Sequence, residues 1–196
     1  MPRKKSIQNS ATSFQSNAGD LLDYVAEAEK HLSDAHVTWC YEYVVIRLYR
    51  EFENLMLEAL TGAINNDTST ISETTGIEFP AHLTDELCEY LIVANGYFDF
   101  KGRDGLIKIV KRYVPSTHYL VAILKKRRYK DPIEYLSALR NYAAHDSYQA
   151  KSAAKKATGY ERMGPCGAWL KKQGRFKWLV DELNALAGEV HAHAPY

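Results

Sequence analysis

No apolar run in this chain approaches the roughly 18 residues that a membrane-spanning helix needs, so no membrane partner is expected. The start, MPRKKSIQNSATSFQSNAGD, is basic and then polar, with no apolar stretch behind it, and does not read as a secretory signal. Cysteine is scarce: Cys40, Cys88 and Cys166 are odd in number and far apart. That set argues against a disulfide framework and a CxxC-type zinc site, and fits a reducing cytoplasm. There is no G-x-S-x-G elbow. Gly159 and Gly164 have the spacing of a phosphate loop, but Pro165 stands where its lysine belongs. His191 and His193 near the C-terminus make a poor metal pair, and the sequence calls for no metal and no cofactor.

The chain has 196 residues, the size of one domain, with 46% apolar and 25% charged residues. Its formal net charge of +1 hides an asymmetry. Residues 18–100 carry 3 basic and 16 acidic groups, whereas residues 101–177 carry 19 basic and 5 acidic ones. Either the halves fold against each other, or one faces a polyanion or the opposite half of a second copy.

The periodicity predicts an all-α chain. Residues 1–17 read as a basic and polar tail, 18–190 as one helical domain, and 191–196 as a second tail. Helices are expected over 17–33, 35–63, 84–94, 106–113, 116–128, 132–144 and 166–187, with loops at 61–76 and 157–167. The second helix, HVTWCYEYVVIRLYREFENLMLEALTGA, is apolar on nearly every face and should be central and buried.

Asp131-Pro132-Ile133-Glu134 has the form of a helix start, with Asp as N-cap, Pro in the first turn and Glu as the return partner. Stepping about 100° per residue from Ile133 gathers Leu136, Ala143 and Ala144 on one apolar face. Arg140 falls in the middle of that face. A guanidinium stays charged, so there it must meet an anion, either a buried carboxylate or a phosphate. Asn141 and His145 are neighbours at i,i+4. His145 lies about 140° round from Arg140. The two can meet at one ligand if the helix ends near Ala144, or across a two-fold axis between two chains.

The stretch SALRNYAAHDSY, with Arg140-Asn141-x-x-x-His145, resembles the R-x4–6-H motif of the HEPN superfamily. Arg50-Glu51-Phe52-Glu53-Asn54-Leu55 resembles the aromatic-Glu-x-x-Leu stretch of an early helix in that family. The resemblance covers roughly residues 18–62 and 115–190, and residues 63–114 read as a helical insertion between the early helices and the motif helix. It implies a helical bundle that pairs as a homodimer, with two motifs sharing one cleft. It also implies a metal-independent endoribonuclease of the kind found among toxins, anti-phage effectors and RNA-processing factors. An antitoxin or regulatory protein is then a possible partner. A toxin subgroup has Tyr two residues after the His; here Ser147 holds that place and Tyr148 follows.

Transesterification of RNA needs a base for the 2′-hydroxyl, an acid for the leaving 5′-oxygen, and positive charge on the phosphate. Imidazole can be base or acid near neutral pH. The guanidinium fork can hold two phosphate oxygens. Arg140 and His145 are therefore the candidate catalytic pair, with Asn141 assisting. Glu53 and Arg50 are supporting candidates: they pair with each other, or Glu53 orients Arg140 or His145. RNA contacts are expected from Lys125, Lys126, Arg127 and Arg128, from Lys151, Lys155 and Lys156, and from Tyr142 and Tyr148 flanking the motif. Tyr160, Trp169, Phe176 and Trp178 lie among the basic residues and suit the same platform. The opposing reading is a solvated basic face over core aromatics, or a non-catalytic module that binds RNA or protein.

Overall fold

In the computed structural model, which describes residues 6–94 and 96–195, most of the expected N-terminal tail is helix. Helix α1 spans Ile7–His31. The Ser6 hydroxyl accepts from the Asn9 amide at 3.2 Å and caps its start. Ile7, Ala11, Phe14 and Ala18 recur at three- and four-residue steps and are buried, which the polar outer face concealed. Residues 1–5 of the expected tail lie outside the described residues.

Helix α2, Asp34–Asn66, starts under a Ser33 cap and continues through Thr61, Ile64 and Asn65, where a loop was expected. It packs against α1, α4, α7, α9 and α10, and so is central. One stripe of it is not buried: Trp39 is 63% and Tyr43 55% exposed, with Ile46 and Arg50 also exposed.

The insertion contains α3 (Ser69–Thr75), α4 (Asp85–Val93) and α5 (Gly102–Val110). Ile64, Ile71 and Cys88 form a small second core under it. Helix α6, Tyr119–Lys125, and a 3-10 turn at Arg127–Tyr129 lead into α7, Lys130–His145. The α7 start differs from expectation. Tyr129 is the N-cap, Asp131 lies in the first turn, and Pro132 is accommodated there because the first amides of a helix need no partner. Glu134 caps a different helix, accepting from the Arg103 amide at 2.8 Å at the start of α5. Gly102, at φ 64°, leaves room for that carboxylate where a side chain would collide with it.

Helix α8, Tyr148–Thr158, was not anticipated; Ser147 caps it through the Ala150 amide. The expected last helix is two, α9 (Cys166–Leu170) and α10 (Arg175–His193), parted at Gln173 and Gly174, which have positive φ. The expected C-terminal tail is helical to His193, and Ala194 is buried, its carbonyl accepting from Gln8. Among the described residues there is no strand, and the chain is all-α. Among them, too, no helix is long and apolar enough to cross a membrane.

Candidate functional site

Arg140 lies on the wall of an open cleft of about 620 Å³. Helix α2 provides Tyr49, Arg50 and Glu53, α4 provides Val93, and the segment after α4 provides Tyr97 and Asp99. The insertion thus forms one side of the cleft and the motif helix another.

The segment Tyr97-Phe98-Asp99-Phe100 alternates. Phe98 and Phe100 are buried, while Tyr97 and Asp99 are exposed, as expected of extended backbone with apolar residues at every second position. Phe100 stacks on Tyr49 at 5.0 Å and meets Phe52 edge-on at 5.9 Å. These rings pin the segment and turn Asp99 toward the cleft. The Tyr49 hydroxyl donates to Asp99 Oδ1 at 2.8 Å and to the Phe100 carbonyl at 3.1 Å.

Arg140 is half-buried, with its guanidinium carbon 4.4 Å from the Tyr49 ring centroid. Such a contact supports a cation without consuming its donors. Arg140 Nη1 donates to Asn141 Oδ1 at 2.8 Å, so Asn141 supports the arginine rather than the imidazole. Glu53 stands nearby, its carboxyl pushed up to about 7. Burial is the main cause; Arg140 and Arg50 oppose the shift and Asp99 adds to it. The Tyr49 hydroxyl is raised far above its usual range by burial and by the Asp99 and Glu53 carboxyls. Glu53 and Arg140 thus lie on the walls of the same cleft, and the guanidinium faces its open space.

His145 is elsewhere. Helix α7 continues unbroken through it, so the 140° separation from Arg140 stands. It is exposed at the α7–α8 junction and is not among the residues lining the Arg140 cleft. Asp146 follows at φ 40°, a left-handed turn that Asp tolerates better than most residues. A second depression of about 400 Å³ opens beside this junction, between Trp39, Glu42, Asp146 and Lys151. Within one chain, the two motif residues address different surfaces.

The expected RNA-contacting residues divide. Tyr142 is 3% exposed and donates to the Gly164 carbonyl at 2.9 Å, so it is a core residue closed to stacking, correcting the expectation. Tyr148 is 84% exposed. Lys126 pairs with Glu189 at 2.6 Å, and Arg128 forks onto Glu182 at 2.5 and 3.1 Å, so half of this basic run is tied to α10. Lys125 and Arg127 are exposed beside them. Lys151, Lys155 and Lys156 lie on α8, the first two half-buried. Trp169 and Phe176 are buried, while Tyr160 and Trp178 keep partial exposure. Arg47 pairs with Glu51 at 2.7 Å, and Asn17 also donates to that carboxylate.

Tyr49, Tyr97 and Asp99 were missed as site residues. The Y-F-D-F alternation was the available signal, obscured by the glycines on either side. Comparison of the chain with protein-family models, with curated proteins and with solved structures gave no match.

Proposed function

We propose that the chain is a metal-independent endoribonuclease with a HEPN-like helical bundle, acting as a homodimer in which Arg140 of one subunit works with His145 of the other. One observation carries this reading: the half-buried Arg140 guanidinium, held by Tyr49 and Asn141, faces an open cleft. The unbroken α7 favours the two-chain arrangement over a site closed within one chain. The 2′-oxygen attacks phosphorus and gives up its proton to a base. The P–O5′ bond breaks, and O5′ takes a proton from an acid. The products are a 2′,3′-cyclic phosphate and a 5′-hydroxyl. Arg140 balances the charge that grows on the phosphate, and imidazole supplies proton transfer.

The exposed stripe of Trp39, Tyr43 and Ile46 meets the second depression at Trp39 and the Arg140 cleft at Ile46, and has the aromatic composition of an interface centre.

The test incubates the protein and its Arg140→Ala and His145→Ala variants with labelled RNA in EDTA. Cleavage by the wild type alone, leaving cyclic phosphate ends, supports the reading; equal cleavage by all three overturns it. The second reading is a non-catalytic helical module that binds RNA or protein. It is favoured by the placement of His145 outside the Arg140 cleft, and salt-sensitive RNA binding without cleavage in any form would establish it.

A further inference from the structure

We propose that the cleft between α2 and the segment after α4 is a guanine-binding pocket, which selects the nucleotide beside the cleaved phosphate. The inference rests on the ribonuclease reading for its biological role, but the pocket's ligand is argued from its own groups.

Three kinds of group converge there. Tyr97 is 96% exposed on a segment anchored by Phe98 and Phe100, so its ring is presented on a fixed base. Asp99 and Glu53 place carboxyls on two walls, and Arg50 and Arg140 place guanidiniums beside them. The volume of about 620 Å³ is in the range of small-ligand sites.

This mixture discriminates among ligand classes. A bare phosphate meets the arginines but is opposed by the carboxyls. A simple cation meets the reverse. An apolar ligand desolvates charges and returns no hydrogen bonds. A flat ligand with paired donors on one edge and paired acceptors on another satisfies both signs. Guanine has N1–H and N2–H for a carboxylate fork, and O6 and N7 for a guanidinium. Adenine, cytosine and uracil each lack part of that set. In this arrangement Asp99 receives the guanine donors, Arg50 reaches O6 and N7, Tyr97 stacks on the base, and Arg140 stays on the phosphate. The hydrogen bond from Tyr49 fixes the Asp99 carboxylate and leaves lone pairs for the base.

The experiment measures binding of the 3′-monophosphates of guanosine, adenosine, cytidine and uridine by calorimetry, and maps cleavage sites in one labelled RNA. The guanosine nucleotide should bind at least about tenfold tighter than the others, since one good bidentate pair discriminates by about 1–3 kcal/mol. Asp99→Asn keeps an acceptor for Tyr49 but puts a donor against the guanine donors, and should erase the preference. Tyr97→Ala should weaken all four nucleotides by about tenfold, as stacking loss does. Both positions are exposed, and circular dichroism checks their fold. Equal binding of the four nucleotides, or an unchanged preference in Asp99→Asn, overturns the pocket. So does a Tyr97→Ala variant that binds nucleotides normally but changes oligomeric state, which assigns the ring to a protein contact. Guanosine binding without cleavage in any form removes the ribonuclease reading and leaves the pocket. Cleavage indifferent to sequence, with no nucleotide preference, does the opposite.

Discussion

The guanidinium of Arg140 lies 4.4 Å from the ring centroid of Tyr49, and the hydroxyl of that ring holds Asp99 at 2.8 Å. One buried tyrosine thus joins the motif helix, the central helix and the inserted segment. Tyr49→Phe keeps the ring under Arg140 and removes two hydrogen bonds. It should cost about 1–2 kcal/mol and lower the melting temperature by several degrees. Thermal unfolding monitored at 222 nm checks this; an unchanged melting temperature would mean the hydroxyl fixes nothing.

Glu53 makes stability depend on pH with a definite sign. Its folded carboxyl sits at about 7, above its ordinary value of 4.5, so between those values the native state holds the proton more tightly than the unfolded chain. Its contribution is most favourable below 4.5, declines as pH rises, and is fully lost above about 7. Glu53→Gln keeps a neutral side chain and should gain stability relative to the parent as pH rises through that window. Urea unfolding of both proteins at pH 4.5, 6 and 8 reads it out; a parallel dependence in the two would remove Glu53 as the source.

His145 is exposed, so His145→Ala should change stability by less than about 0.5 kcal/mol. The same variant should lose cleavage. A shift from activity to inactivity without a change in unfolding marks a functional residue, whereas a folding defect would mark a structural one.

Trp39 is 63% exposed on the stripe assigned to the second subunit. Trp39→Asp should leave the fold intact and convert a dimer to a monomer. Light scattering after size exclusion measures the mass. In the two-chain reading, cleavage falls in parallel with dimer content; full activity in a monomer would return both proposed residues, Arg140 and His145, to one chain.

Gly167 touches the backbone of α2 at Thr38, where a Cβ would collide with the carbonyl. Gly167→Ala should therefore separate α9 from α2 and destabilise the fold, although a helix Gly→Ala change by propensity alone stabilises. Chemical denaturation decides the sign.

The helical class was legible because apolar residues repeat every three or four positions over long stretches, as in α2 and α10. Arg140 was legible for a related reason: a permanent charge in an apolar stripe demands a partner. Residues 7–17 were not, because a thin line of Ile7, Ala11 and Phe14 carries the burial while polar residues cover the rest. The role of Glu134 was misread as local, since a capping pattern in sequence cannot show that a neighbouring helix offers its amides instead.

By itself, the sequence determined that the chain is helical and that residues 132–144 form a helix carrying Arg140; the structure extends that helix over Lys130–His145, so that Arg140 and His145 diverge by about 140° along it. Periodicity and backbone geometry are local, and a short segment contains all the information they need. Only the tertiary structure decided what Arg140 faces, which part of α2 stays exposed, and that the insertion lends Tyr97 and Asp99 to the same cleft. Those outcomes depend on contacts between residues some 40 to 90 positions apart, set by how rings such as Phe100 fill the space left by other helices. Packing of that kind is a property of all the neighbours together and is not written in any one stretch of chain.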